Sequence, residues 1–366
     1  MGAAALEHDA REVSSAEGGV VIVGIDEAGY GPMLGPLCIG MAAIRIGGWQ
    51  EGDAAPDLWE RLSKAICRRP RDKQGRLAID DSKTLKLPAG GKRHQLTHLE
   101  RSVLAWLAAA GKPVRDDAEL LEVLGTSFEP HPWYARGGSD KAAAGRPLPL
   151  DESNGTYKFA ANLLAATFAA AGVEPLDLRC VAVCETKYNE IFARSGKPAT
   201  TEIGLLSHMR TAWVKWGHTG KGVATMRLVC DAQSGRIDYS GLLARFAALS
   251  GVGSASAEVI DQQAGDSRYR LSGIGPDGLP RAALLSFQTE GDARHLPIAL
   301  ASMTAKLVRE LAMLRFNDFW LARAAHETGE RNIKPTAGYW QDAQRFLAEI
   351  RPVLDERDRR VITRLG

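Results

Sequence analysis

Asp26 and Glu27 stand side by side just after an apolar run, Val20–Val23. The stretch reads Gly24-Ile25-Asp26-Glu27-Ala28-Gly29-Tyr30-Gly31-Pro32-Met33-Leu34-Gly35-Pro36. A strand therefore delivers two adjacent carboxylates to its own end. Neighbours in a regular strand point to opposite faces, so both acids serve one site only if the strand ends there and the chain turns. Gly29 and Gly31 permit such a turn and let the backbone approach a ligand. Two carboxylates at a strand end suit a hard divalent cation. A solvated acidic turn is the plainer alternative.

The pattern recurs. Leu228-Val229-Cys230 runs into Asp231, and Leu285-Ser286-Phe287 leads to Gly291-Asp292. In open α/β sheets, sites form beside strand ends, so acids from separate segments can converge there. Asp26, Glu27, Asp231 and Asp292 would then form a four-carboxylate cluster, which cannot stay fully ionised without a cation. With no histidine or cysteine pair at ligand spacing, the cluster predicts Mg²⁺ or Mn²⁺ rather than zinc. Two such ions are the usual device for displacement at a phosphodiester.

Other residues have the right chemistry to assist. In the helical pattern after Asp292, Ser302, Lys306 and Arg309 make a narrow polar stripe on an otherwise apolar helix. Such a stripe meets either a phosphate backbone or solvent. In Asp81-Ser82-Lys83, Ser82 can cap a helix and Lys83 can reach a phosphate, or the tripeptide simply starts a helix. Trp133 and Tyr134 fall in a loop-like stretch and are candidate stacking platforms, whereas Trp106, Trp213, Trp216 and Trp320 fall in helical patterns suited to packing. His295 is read as a surface histidine beside Asp292.

The elements that must position these residues are legible in outline. Val20–Ile25 and Pro36–Ile46 are strand-like and separated by the glycine-rich turn. Helical periodicity covers 55–68, 91–110, 154–171, 201–216, 297–316 and 340–350. Further strands are expected at 178–184, 226–230, 257–260 and 282–288, with a glycine-rich loop between the last two. Strands alternating with helices after an initial hairpin predict an α/β domain with a mixed sheet. Residues 1–18 read as a disordered tail, 19–350 as the catalytic domain and 351–366 as a C-terminal extension. Segments near 107–155 and 236–281 have the texture of insertions.

The 366 residues carry a net charge of +2 and are 45% apolar, so no global field advertises a nucleic-acid binder, and local patches must do that work. Five cysteines, at 38, 67, 180, 184 and 230, form no zinc-type pair. An odd count without a framework points to reduced thiols and a cytoplasmic setting. The first 18 residues lack a basic start and an apolar run, so no secretory signal is expected there. No apolar stretch of ~20 residues is present, so no membrane span is expected.

Taken together, these blocks resemble type 2 ribonuclease H (ribonuclease HII), as a divergent member with large insertions. That family opens with Asp-Glu-Ala-Gly-Arg-Gly-Pro, and this chain has Asp26-Glu27-Ala28-Gly29-Tyr30-Gly31-Pro32, then Gly35-Pro36. The family's Asp-Ser-Lys-Lys-Leu is similar to Asp81-Ser82-Lys83-Thr84-Leu85. Its Gly-Asp and following helix are similar to Gly291-Asp292, Ala301-Ser302 and Ala305-Lys306-Leu307-Val308-Arg309-Glu310. The helix His208–Trp213 resembles the family's helix ahead of its third acid. About half the chain is covered, roughly 20–46, 79–106, 178–232 and 282–316. A looser match sets Tyr339 against a tyrosine that stacks on the sugar at the cleavage junction.

The resemblance implies a ribonuclease H-like mixed sheet flanked by helices, and a metal-dependent endonuclease that cuts the RNA strand of RNA–DNA hybrids or ribonucleotides embedded in DNA. Its products would be 5′-phosphate and 3′-hydroxyl ends. Asp26, Glu27, Asp231 and Asp292 would hold the metals. Gly29, Tyr30, Gly31, Lys83, Ser302, Lys306, Arg309 and Tyr339 would bind substrate. Tyr30 departs from the family's arginine: it can stack but carries no charge, which leaves single-ribonucleotide preference open. Two alternatives stand beside this expectation, a related metal nuclease with a changed nucleic-acid substrate and a catalytically silent hybrid-binding protein.

Overall fold

Alternate residues of the first strand go to two separate cores, and this organises the whole molecule. The computed structural model describes residues 18–366 except 51, 54, 71, 73, 89, 90, 135–144, 152–154, 156, 221, 222 and 234. The tail expected over 1–18 therefore lies outside the described residues, apart from Gly18. Along the chain run β1 (Val20–Ala28), β2 (Leu37–Ile46), α1 (Leu58–Arg61), β3 (Ile66–Cys67), β4 (Leu77–Ala78), α2 (Ser82–Leu85), α3 (Thr97–Ala109), α4 (Asp117–Val123) and α5 (Tyr157–Ala171). Then come β5 (Val173–Val183), α6 (Glu185–Ser195), α7 (Pro198–Trp216), β6 (Thr225–Asp231), α8 (Ser240–Ala247), β7 (Ser254–Gln263), β8 (Asp266–Ile274) and β9 (Pro280–Gln288). The chain closes with α9 (Gly291–Arg294), α10 (Leu296–Thr328), α11 (Trp340–Glu349), a 3₁₀ turn (Arg351–Val353) and α12 (Glu356–Val361).

Seven strands form one mixed sheet in the order β5-β2-β1-β6-β9-β8-β7. β1, β6 and β9 are parallel neighbours, and the remaining pairings are antiparallel. Val20 and Ile22 of β1 pack with α3, α5 and α10. Val21, Val23 and Ile25 pack with α7 and α8 on the other face. A strand buried on both faces must be apolar throughout, and Val20–Ile25 is. The long helix α10 lies directly on β1 and β2. At Gly40 a Cβ would come within 2.1 Å of the Ala301 carbonyl, so only glycine admits this approach. A third cluster joins the far half of α10 (Phe316, Trp320) to α11, α12 and the chain end.

Several expectations need correction. The apolar spacing over 55–68 yields only the single turn α1, capped by Asp57, after which Ile66–Cys67 pairs with Leu77–Ala78. Trp133 and Tyr134 are not open stacking platforms. They are 1% and 3% exposed and cover the aromatic end of α10, where Trp133 lies against Trp320 and Phe316. Within 236–281, α8 covers one face of the sheet, and the β7–β8 hairpin continues the sheet beyond β9. Where a glycine-rich loop was expected, β8 alternates buried Ser267, Tyr269 and Leu271 with exposed residues, a half-buried strand. Residues 351–366 pack into the third cluster through Val353, Leu354 and Ile362.

Candidate active site

β1 does not end at its acids. It runs through Asp26 and Glu27 to Ala28, with Asp26 opposite Gly40 and Glu27 opposite Ile39. Strand alternation therefore separates the two carboxylates, and their partners follow. Asp26 is buried and meets the Ser302 hydroxyl of α10, and its Oδ1 accepts the Glu27 N–H at 2.7 Å. Glu27 opens into a groove shared with Asp231, Tyr30 and the start of α7. The parallel register that sets Ile25 beside Cys230 brings Asp231 next to the pair. Asp231 Oδ1 accepts the Gly291 N–H at 3.2 Å, which ties the end of β6 to α9. Asp292, in the first turn of α9, accepts from the Ala293 N–H at 2.9 Å. Glu290 just before it holds a left-handed φ of 54°, a costly conformation for a residue with a Cβ.

The four acids lie close enough to perturb one another. Burial holds the Asp26 carboxyl well above the ordinary range, reinforced by Glu27 and Asp231. Burial, then Asp231, push Glu27 up to about 7. Asp231 is raised by burial and by Asp292, and Asp292 by burial and by Asp81. Lys83 opposes the rise at Glu27, Asp231 and Asp292, so its ammonium faces three of the acids. Among the described residues no three His, Cys, Asp or Glu side chains close into a ready-made metal cage. The donor set nonetheless fits a hard divalent cation: it is made of carboxylate oxygens and holds uncompensated like charge.

The turn after β1 is held from beneath. Gly29 adopts φ 91°, and a Cβ there would strike the Arg309 side chain at 2.6 Å. Arg309 is 1% exposed and donates to the Leu34 and Ala337 carbonyls at 3.3 and 3.0 Å. Arg364, 4% exposed, donates to the Gly29 carbonyl at 2.7 Å and to the Pro32 carbonyl, and its guanidinium lies over Tyr188. Glu185 accepts from the Gly35 N–H at 3.2 Å and from the Tyr134 hydroxyl at 2.8 Å, and burial pushes its carboxyl up to about 7. The Met33 and Leu34 N–H groups both donate to the Gly338 carbonyl, which brings Tyr339 to the turn with its ring 5.9 Å from the Arg309 guanidinium. Gly31 is different. It is exposed, and a Cβ there would meet nothing within 4 Å.

The stripe on α10 is turned inward, which corrects its reading as an open phosphate-binding face. Ser302 is buried against Asp26 and lies 3.2 Å from the Ser82 hydroxyl. Lys306 is paired with Glu310 at 3.0 Å, and Arg309 supports the turn. Asp81, not Ser82, caps α2: its carboxylate accepts the Lys83 N–H at 2.8 Å. His295 is half-buried and sits 2.7 Å from the Gln288 side chain. Sequence reading missed Arg364 and Glu185, which lie far from the motifs in the chain and carry no local signature. The nearest signal to Arg364 is the apolar Ile362, which packs into the third cluster.

No family model and no curated protein matches the chain. Among solved structures, the chain is similar to ribonuclease HII of Archaeoglobus fulgidus, seen in a PCNA:RNase HII complex, at 10% identity over 94% of each chain with a TM-score of 0.36. It is similar to ribonuclease H2 of Pyrococcus horikoshii OT3 at 14% identity, over 91% of this chain and 99% of that one, with a TM-score of 0.35. It is also similar to Bst-RNase HIII in complex with Mn²⁺ at 11% identity, over 93% of this chain and 73% of that one, with a TM-score of 0.33.

Proposed function

We propose that the protein is a metal-dependent endonuclease that hydrolyses the RNA strand of RNA–DNA hybrids, or ribonucleotides embedded in DNA, leaving 5′-phosphate and 3′-hydroxyl ends. One observation carries this reading. Asp26 and Glu27 of β1, Asp231 at the end of β6 and Asp292 of α9 come from three separate segments; each lies close enough to feel a neighbouring carboxylate, and Glu27, Asp231 and Asp292 share the influence of Lys83. A cluster that costly is kept for chemistry rather than stability.

In this reading Asp26, Glu27, Asp231 and Asp292 hold Mg²⁺ or Mn²⁺, which when bound supplies activation of water and neutralises charge on the leaving oxygen. Ser302 orients the Asp26 carboxylate. Lys83 would offer its ammonium to a substrate phosphate. The backbone at Gly31 is open to close approach, as reading a ribose 2′-hydroxyl requires. Tyr30 and Tyr339 offer rings at the two sides of the turn.

A second reading, a metal nuclease for another nucleic acid, is favoured by Tyr30 at the arginine position of the signature. The test of both is cleavage of labelled duplexes with Mg²⁺ or Mn²⁺: a full RNA–DNA hybrid, DNA with one ribonucleotide, plain DNA and plain RNA, with Asp292→Asn as control. Metal-dependent cutting confined to ribonucleotide-containing strands and absent in the control is expected. Cutting of plain DNA or plain RNA would select the second reading. Hybrid binding without cutting of any substrate would instead make this a binding protein.

A further inference from the structure

Glu27 and Asp231 form one end of a groove of about 950 Å³ that continues past Tyr30 to Pro198 and Ala199 at the start of α7. This groove is too long for the acids alone to explain. Arg236 and Arg245 also line it, but both are held by Glu202 on α7, Arg236 at 2.7 Å. The single Glu202 carboxylate thus holds both guanidiniums in ion pairs and offsets one of their two charges. At the groove's edge, Lys197 precedes α7 and lies with its ammonium 5.0 Å from the centre of the Tyr30 ring. Both side chains are half-exposed. Among the described residues no carboxylate lies within ion-pair distance of Lys197. Its contact with Tyr30 is thus a cation resting on an aromatic face, a weak interaction at a wet surface.

We propose that Tyr30 and Lys197 form a nucleotide subsite for the strand flanking the cleaved phosphate. The inference rests on the nuclease reading above and extends it to where the strand runs. A phosphate is a far stronger partner for an ammonium than a ring face is. An arriving phosphodiester draws Lys197 off Tyr30, and the exposed ring then takes the adjoining base or sugar. The pair is a resting state whose two halves separate onto one nucleotide. Tyr30 carries no charge at neutral pH, and Lys197 supplies the cation that a backbone contact needs. The geometry also sets direction: the strand passes from the acids along the α7 side of the sheet, away from the α3 and α5 side.

The test uses the full chain carrying Asp292→Asn, so that binding is read without cleavage, with a labelled RNA–DNA hybrid over a salt series. Lys197→Ala is expected to weaken binding about 3- to 10-fold at low salt and to reduce the slope of log affinity against log salt by about one. Tyr30→Ala is expected to weaken binding about 5-fold or more with the slope unchanged. Lys158→Ala, on α5 across the sheet, is expected to leave the hybrid affinity unchanged and serves as a control. Thermal unfolding of each variant confirms that these surface changes leave the fold intact. Unchanged affinity and slope in Lys197→Ala, in a parent that does bind hybrid, would overturn the subsite alone. A folded parent that binds no nucleic acid would overturn the nuclease reading and the subsite with it.

Discussion

Two clusters of buried charge flank the same turn, and they are balanced in opposite ways. On one side Asp26, Glu27, Asp231 and Asp292 carry the same sign, and burial together with a neighbouring carboxylate raises each of them. On the other, Arg309 and Arg364 each use one nitrogen, Nη2, to bond backbone carbonyls, Arg309 those of Leu34 and Ala337 and Arg364 those of Gly29 and Pro32. These bonds tie both arginines to the turn backbone and hold its shape, while Nε and Nη1 of each guanidinium are buried without a hydrogen-bond partner. The acids are left for something outside the chain to satisfy. Removing a member should therefore have opposite consequences on the two sides: lost chemistry with an intact fold, or a weakened fold.

The largest effect is expected at the acids. Asp231→Asn should cut metal-dependent cleavage about 10³-fold or more. It should leave the unfolding temperature unchanged or higher, because it relieves repulsion. Adding Mn²⁺ should raise the unfolding temperature of the unmodified protein and do so less in the variant. A variant that loses stability in step with activity would erase the contrast between the clusters. On the arginine side, Arg309→Met should cost about 3 kcal/mol, read from denaturant unfolding, because the carbonyls under the turn lose a buried donor.

Glu185 sharpens the comparison through pH. It is an acid on the arginine side, raised from 4.5 to about 7 by burial. The folded state therefore binds its proton more tightly than the unfolded state does. Its contribution is fully present below about pH 4.5 and is lost as pH rises through about 7, a change on the order of 3 kcal/mol. Glu185→Gln should flatten the decline of stability across that window. An unaltered pH–stability curve would show that Arg364 already compensates this carboxylate. The smallest effect belongs to Gly31. Gly31→Ala should shift stability by under about 0.5 kcal/mol, since a Cβ meets open space. If substrate approaches that backbone, the same change should lower cleavage about 10-fold, separating a ligand contact from a structural glycine.

Much of this protein was decided locally, in stretches a reader can scan. Two-faced burial required the unbroken apolar run Val20–Ile25, and the acids at the ends of β1, β6 and the β9–α9 turn announced themselves by type and position. The apolar breadth of residues 297–316 marked a helix buried on most sides. Other features depended on partners distant in the chain. Whether β1 ends at Asp26 depended on β2, whose Gly40, Ile39 and Cys38 keep it paired to Ala28. The stripe Ser302–Lys306–Arg309 has the composition of a solvent face, yet α10 turns it under the glycine turn, where Asp26, Glu310 and backbone carbonyls receive it. Trp133 and Tyr134 looked like loop aromatics until the end of α10 needed covering. The helix and strand periods reflect which face is apolar, a property of neighbouring residues. Which polar group meets which buried charge depends on segments 150 or more residues apart, such as Gly35 with Glu185 and Gly29 with Arg364, and only the folded chain brings them together.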